Sequence, residues 1–254
     1  MLLLRQGLRC LMGAVIALMS LSVQAQQAQI TVLAAASLTE AFQEIAYRFE
    51  QTHATTVILS FGASDMLAQQ IIHGAPAHVV ATADQVAMDK VAHANRLVAD
   101  SRINFATNTL ALITAASAPD SLRRIEDLVS KQVKRIAVAN PDSVPAGRYA
   151  KQALENAGLW SSVQSRLVFG QHVRQVLDYV ARGEVDAGFV FLTDAQQRSD
   201  QVEVMTRISL PEDAHYPIAL TPLGEDVDAA HAFIEFVSAG MGQSILQQYG
   251  FLSP

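Results

Sequence analysis

Short apolar runs rich in β-branched residues alternate with segments whose apolar residues recur every three or four positions, a pattern that predicts strands and helices in turn. Runs at 30–33, 56–60 and 79–82 read as strands. Helical periodicity follows each of them, running to residue 51, over 64–73 and from about 84 to 95. After a break near Thr107 and Asn108 the rhythm restarts, with strands at 110–114, 135–139, 167–169 and 186–191 and helices over 146–157 and 173–182. Residues 202–220 read as extended, and 226–249 carry two closing helices on an apolar pattern of Ala230, Phe233, Phe236 and Val237, then Ile245 and Leu246. Such βαβ order belongs to an α/β chain, and its restart predicts two α/β lobes. The closing helices are expected to rejoin the first lobe, which leaves the lobes linked by short extended crossings that are hinges by position.

The first 25 residues depart from this rhythm. Arg5 and Arg9 precede an apolar run over 11–23, which ends in Val23-Gln-Ala25. A basic region, a hydrophobic region and a small-residue cleavage site in that order predict a signal peptide at 1–25, removed from the mature chain. The full chain has 18 Lys and Arg against 24 Asp and Glu, a net charge of −6, and the leader takes away two arginines and no acid. An acidic exported chain lacks the basic clusters that nucleic acid or anionic membrane surfaces require, and no later run is apolar enough to span a bilayer, so a soluble protein is expected. Cys10, the single cysteine, precedes the hydrophobic run, which fits neither a lipid-anchor site nor a disulfide in the mature fold. With 50% hydrophobic and 17% charged residues, the chain can bury a substantial core, which argues against disorder.

Candidate chemistry gathers where strands run into helices. The strand ending in Ala34-Ala-Ala reaches Ser37, which with Glu40 has capping-box spacing at the start of a helix carrying Leu38, Ala41, Phe42, Ile45, Ala46 and Phe49. Ser60-Phe-Gly-Ala-Ser64-Asp65 makes a second junction, Pro145-Ala146-Gly147 a third, and Gln171-His172-Val173-Arg174 a fourth. Each offers unpaired backbone N–H groups at the positive end of a helix dipole, and four converging across a cleft would hold an anion. Taken singly, each is equally an ordinary helix cap. An enzyme reading, with Ser37 or Ser64 in a triad, finds no Gly-x-Ser-x-Gly elbow and no metal-ligand spacing, so the chain is read as no enzyme.

These motifs, in order along nearly the whole mature chain, resemble the periplasmic molybdate-binding proteins of ABC importers, the ModA-type solute-binding proteins. The resemblance rests on Ala34-Ala-Ala-Ser37-Leu-Thr39, Ser60-Phe-Gly-Ala-Ser64, Gly74-Ala-Pro-Ala77 with Ala83-Asp84, Val144-Pro-Ala-Gly147 with Tyr149-Ala-Lys151, Val173-Arg174, Asp194-Ala195, Tyr216-Pro217 and Tyr249-Gly-Phe251. It implies an α/β type II periplasmic-binding-protein fold, with lobe 1 at 26–107 plus 217–254, lobe 2 at 108–216, and the ligand in the interlobe cleft. It further implies a periplasmic, monomeric receptor that captures molybdate or tungstate and delivers it to a membrane permease, without a cofactor. Molybdenum enters only as the oxyanion.

Carried over by position, Ser37 and Ser64 match two serine ligands, and Ala146 and Val173 match two backbone N–H ligands. At the place of the family's tyrosine donor this chain has Phe191, and His78 follows the Ala-Pro-Ala motif where Asp is usual. Convergent neutral donors suit a doubly charged oxyanion in a dry cleft. Sulfate differs from molybdate mainly in size, so a receptor for sulfate or phosphate on the same fold is the alternative, and a sensory domain on that fold is a third. His172, beside Val173, reads first as a solvent-facing residue at a helix start and second as a protonatable group at the site. His78 reads as structural, and Trp160 as a core residue.

Overall fold

The computed structural model describes residues 28–118, 122–210 and 214–254. The expected signal peptide, with Cys10, lies outside them. The strands form two five-stranded sheets of similar plan. In the first, β1 (Ala28–Ala35) lies between β2 (Thr55–Gly62) and β3 (Val79–Ala81), all parallel. β10 (Ala214–Leu220) pairs antiparallel with β3, and β4 (Ile103–Asn108) forms the edge beside it. In the second, β6 (Ile136–Ala139) lies between parallel β7 (Leu167–Gly170) and β8 (Ala187–Phe191). β5 (Leu110–Ala115) runs antiparallel to β8, and β9 (Val202–Ile208) forms the edge.

Helices cross between the parallel strands as the periodicity predicts. They are α1 (Thr39–Thr52), α2 (Ser64–Ile72), α3 (Gln85–His93), α4 (Pro145–Asn156), α5 (Trp160–Val163), α6 (Val173–Ala181) and α7 (Leu192–Gln196), with α8 (Asp228–Ser238) and α9 (Gly240–Gln248) closing the chain. The central strands are buried on both faces, which is why they read as unbroken apolar runs: Val32, Leu33, Ala34 and Ala35 of β1 and all of Ile136–Ala139 are buried. α1 buries its stripe of Ala41, Phe42, Ile45, Ala46 and Phe49. The Phe42 and Phe49 rings meet Phe233 of α8 edge-on at 6.1 and 5.3 Å, so the closing helices do pack against the first sheet's layer.

Two segments differ from the sequence expectation. β4 lies in what reads as a break, and the extended run over 202–220 is two strands belonging to different sheets. An extended pattern reports backbone conformation and not partners, and here the chain leaves the edge of one sheet for the other. β10 pairs with β4 up to Ala214–Asn108 while β9 pairs with β5 from Ile208–Leu110, so the end of β9 and the start of β10 lie beside the strand ends that flank the crossing at Thr109. Among the described residues no helix is long and apolar enough to cross a membrane. Trp160 is half-buried against the second sheet's core, with the Lys151 ammonium 5.5 Å from its ring centre.

Candidate functional site

The C-terminal ends of the parallel strands of both sheets lead into one small cavity. Open α/β sheets place ligands at that edge. Its wall includes Ser37 beyond β1, Ser64 beyond β2 and Ala83 beyond β3 from one sheet, and Ala146, His172, Val173 and Phe191 from the other. All five positions named from sequence, Ser37, Ser64, Ala146, Val173 and Phe191, thus meet at one place although they span 155 residues of chain, from 37 to 191. No Lys, Arg, Asp or Glu lines the cavity. The site is built from neutral groups.

Two of the helix starts at the cavity carry no side-chain cap. Ala63 before α2 and Val144 before α4 occupy the capping positions without a side-chain hydrogen bond, whereas α3, outside the cavity wall, is capped by Asp84, which accepts the Ala87 N–H at 3.0 Å. Donors at α2 and α4 therefore remain for a ligand, with the helix dipoles behind them. Pro145 at the first turn of α4 fixes the helical φ without adding a donor. Gly147 lets this turn lie against the end of β6, since a Cβ there would stand 2.0 Å from the Ala139 carbonyl oxygen.

The capping box expected from Ser37 and Glu40 does not form. Ala36–Leu38 is a 3₁₀ turn that runs into α1, so the chain is already wound at Ser37 and its side chain is not at a cap. The Ser37 hydroxyl instead lies 3.0 Å from the Tyr216 hydroxyl, and Glu40 pairs with Arg174. Ser64 accepts the Ala83 N–H at 3.0 Å, which leaves its own proton unclaimed by that bond.

Cations stand close to the cavity but are spent on carboxylates. Arg148 reaches from α4 to Asp84 (Nε to Oδ2, 2.7 Å) and to Asp65 (Nη1 to Oδ2, 3.0 Å), and Lys90 also holds Asp65 at 2.7 Å. Arg174, on α6, donates to Glu40 of α1 at 2.9 Å, and its Nε lies 2.7 Å from Asp194. Each arginine follows within two residues of a proposed backbone donor, so these pairs tie α4 and α6 to the first sheet's helices on two sides of the cavity. Burial pushes the Asp84 carboxyl up, with Arg148 opposing. Burial pushes the fully enclosed Asp194 up to about 6, against the pull of Arg174.

His172 stands at a helix start as expected, but half-buried. It caps α6, its Nδ1 accepting the Gln175 N–H at 3.2 Å, and it lines the cavity. That acceptor role puts the ring proton on Nε2, and burial lowers the imidazole's affinity for a second proton. A charged imidazole is therefore disfavoured here. His78 is structural as expected: its Nδ1 accepts the Thr31 N–H at 2.9 Å. Phe191 is 1% exposed, edge-on to Tyr149 and Tyr216 at 6.1 and 5.7 Å.

Sequence reasoning gave no role to Asn108 or Arg148, and Tyr216 entered only as part of a motif. Tyr216 sits in an apolar extended run and reads as core; the arginines find their carboxylates at separations of 20 to 134 residues, beyond any local spacing rule. Among the described residues no group of three or more His, Cys, Asp or Glu is placed to hold a metal ion.

Over residues 30–252 the chain matches the family model described as bacterial extracellular solute-binding protein. It is 34% identical to the molybdate-binding protein ModA of Escherichia coli, over 89% of this chain and 90% of that one. Among solved structures it is similar to the substrate binding domain of a putative molybdenum ABC transporter from Clostridium difficile, at 33% identity and a TM-score of 0.70, covering 89% of this chain and 99% of that one. The periplasmic molybdate-binding protein of Azotobacter vinelandii shares the fold at a TM-score of 0.79 and 24% identity, covering 89% and 99% of the two chains. The uncharged, donor-lined cavity between two α/β sheets and the match over 30–252 lead to one assignment: this chain belongs to the bacterial extracellular solute-binding protein family.

Proposed function

We propose that the chain captures molybdate, and tungstate with it, as the intact oxyanion in the cavity between the sheets, and delivers it to the membrane permease of an ABC importer. It acts as a monomer in the periplasm, after loss of the signal peptide at 1–25, with lobes at 26–107 plus 217–254 and at 108–216. The Ser37 and Ser64 hydroxyls and the Ala146 and Val173 backbone N–H groups donate to the anion's oxygens; molybdenum meets no protein atom directly. The observation that carries this reading is the convergence of these four donors on one cavity without a charged side chain. Neutral donors at helix starts satisfy a dianion's oxygens without the unpaired buried charge that a vacant cationic site would leave. The molybdate-binding relatives favour this anion over others of the same shape.

Isothermal calorimetry of the mature protein with molybdate, tungstate, sulfate and phosphate tests it. Molybdate and tungstate are expected to bind at least about a hundredfold more tightly than sulfate or phosphate, a difference of about 2.8 kcal/mol. Sulfate binding as tight as molybdate would overturn the reading in favour of a general oxyanion receptor.

Phe191 offers no donor, and in this reading the side chain of His172, which lines the same cavity, supplies the one it lacks. Phe191→Tyr adds a hydroxyl at little change in volume. Because an unsatisfied buried anionic oxygen is expensive, a substitute donor is expected already to be in use, and the variant should change molybdate affinity by less than about tenfold. A larger gain would mean that the fifth donor is simply absent.

A further inference from the structure

Behind Ser37 runs a buried chain of polar groups whose directions can be read from chemistry alone. The Asn108 side chain accepts the Thr109 N–H through Oδ1 at 2.9 Å, which fixes the amide's orientation. Its Nδ2, which can only donate, then lies 2.9 Å from the Thr193 hydroxyl oxygen and 3.3 Å from the Tyr216 hydroxyl oxygen. Tyr216 therefore accepts from Asn108, and its one proton is left for Ser37 Oγ, 3.0 Å away. Ser37 accepts in turn, and its own proton is free to turn into the cavity. Tyr216 is 0% exposed, Thr193 1%, and Ser37 and Asn108 4% each, so water does not compete for these roles. Burial also keeps the phenol protonated, its pKa raised well above the ordinary value.

Ser64 shows the same logic by a different route, since the Ala83 N–H donates into its oxygen from behind. Each cavity serine thus has its acceptor capacity used by the protein and its proton left over. We propose that Tyr216, oriented by Asn108, is a positioning residue that commits the Ser37 hydroxyl to donating into the cavity, so that the site favours oxyanion oxygens that carry no proton. This rests on the reading of Ser37 as a ligand donor. A serine without such backing spends part of its time as an acceptor, and the anion must first turn it.

The relay also has a place in the fold. Asn108 and Thr109 form one crossing between the sheets, and Tyr216 follows the other by two residues of β10. Thr193 belongs to α7, attached to the second sheet. The proton order at Ser37 is therefore set where both sheets meet.

The test is a double-mutant cycle on the mature protein, read by calorimetric titration with molybdate and checked for folding by thermal melting. Tyr216→Phe is expected to weaken molybdate binding about fivefold or more when Ser37 is present, and by less than about twofold in the Ser37→Ala background. Equal losses in both backgrounds would overturn the relay, because packing damage does not depend on the Ser37 hydroxyl. If Tyr216→Phe fails to fold, Asn108→Ala replaces it in the cycle, with the same non-additivity expected and the same additivity overturning the proposal. Unchanged affinity in Ser37→Ala itself refutes the ligand role of Ser37, and the relay with it; a loss in Ser37→Ala with an additive cycle refutes the relay alone.

Discussion

Gly147→Ala is expected to lower both the stability of the protein and its affinity for molybdate. Its Cβ would lie 2.0 Å from the Ala139 carbonyl oxygen and 2.7 Å from the carbonyl carbon, both backbone atoms at the end of β6. Neither can yield cheaply: β6 is the middle strand of its parallel trio, and the next residue is pinned by Asn140 N–H to the Gly170 carbonyl at 2.8 Å. The start of α4 must withdraw from the sheet instead. Overpacking against immovable backbone costs about 3 kcal/mol or more, which for a chain of this size lowers the melting temperature by roughly 6–12 °C. Withdrawal also moves Ala146, one residue earlier, away from the cavity, so molybdate affinity should fall more than about tenfold. A Gly147→Ala protein that melts within about a degree of its parent, with affinity intact, would show that α4 does not hold this contact in solution.

That contact illustrates what the sequence could and could not reveal. Pro145-Ala146-Gly147 was legible as a helix start because Pro and the small residues carry their own local physics. The reason Gly147 must lack a side chain lies 8 residues back at Ala139, and only the folded helix-on-strand packing brings them together. The α/β order was legible for a similar reason: buried parallel strands such as Ile136–Ala139 declare themselves as apolar runs, and α1 declares itself by its stripe. β4 and β10 were harder, since they are antiparallel neighbours whose pairing joins chain segments more than 100 residues apart.

Ordered motifs single out residues that line the cavity, while the environment of those residues was not legible in them. Glu40, three residues from Ser37, satisfies a local rule so well that the rule was followed, yet the carboxylate is claimed by Arg174, 134 residues away. Charge pairing across the cavity decided it: a buried arginine without a carboxylate would cost more than an unmade cap. The same holds for Arg148 with Asp65 and Asp84. These pairs also explain how an anion site can have arginines nearby and none in its wall. Their charge is already balanced, so the cavity offers direction through N–H and O–H groups and not net positive charge.

Replacing both serines separates direction from packing. Ser37 and Ser64 belong to different strand ends, and each carries a proton left over for the cavity by the bond it accepts from behind. A hydrogen bond to a charged oxygen contributes about 1.5 to 3 kcal/mol, so Ser37→Ala and Ser64→Ala should each weaken molybdate binding about tenfold or more. Together they should weaken it by more than either alone, the losses departing from additivity because both act on one ion. Stability should fall in both: Ser64→Ala leaves the buried Ala83 N–H without its acceptor, and Ser37→Ala leaves the buried Tyr216 hydroxyl proton without its own, costing about 1–3 kcal/mol each. A calorimetric titration beside a thermal melt for each variant reads the two effects apart. If both single variants bind molybdate as the parent does, the anion does not sit among these donors; if both lose affinity and both melt at a lower temperature, each hydroxyl has the role its partners assign it.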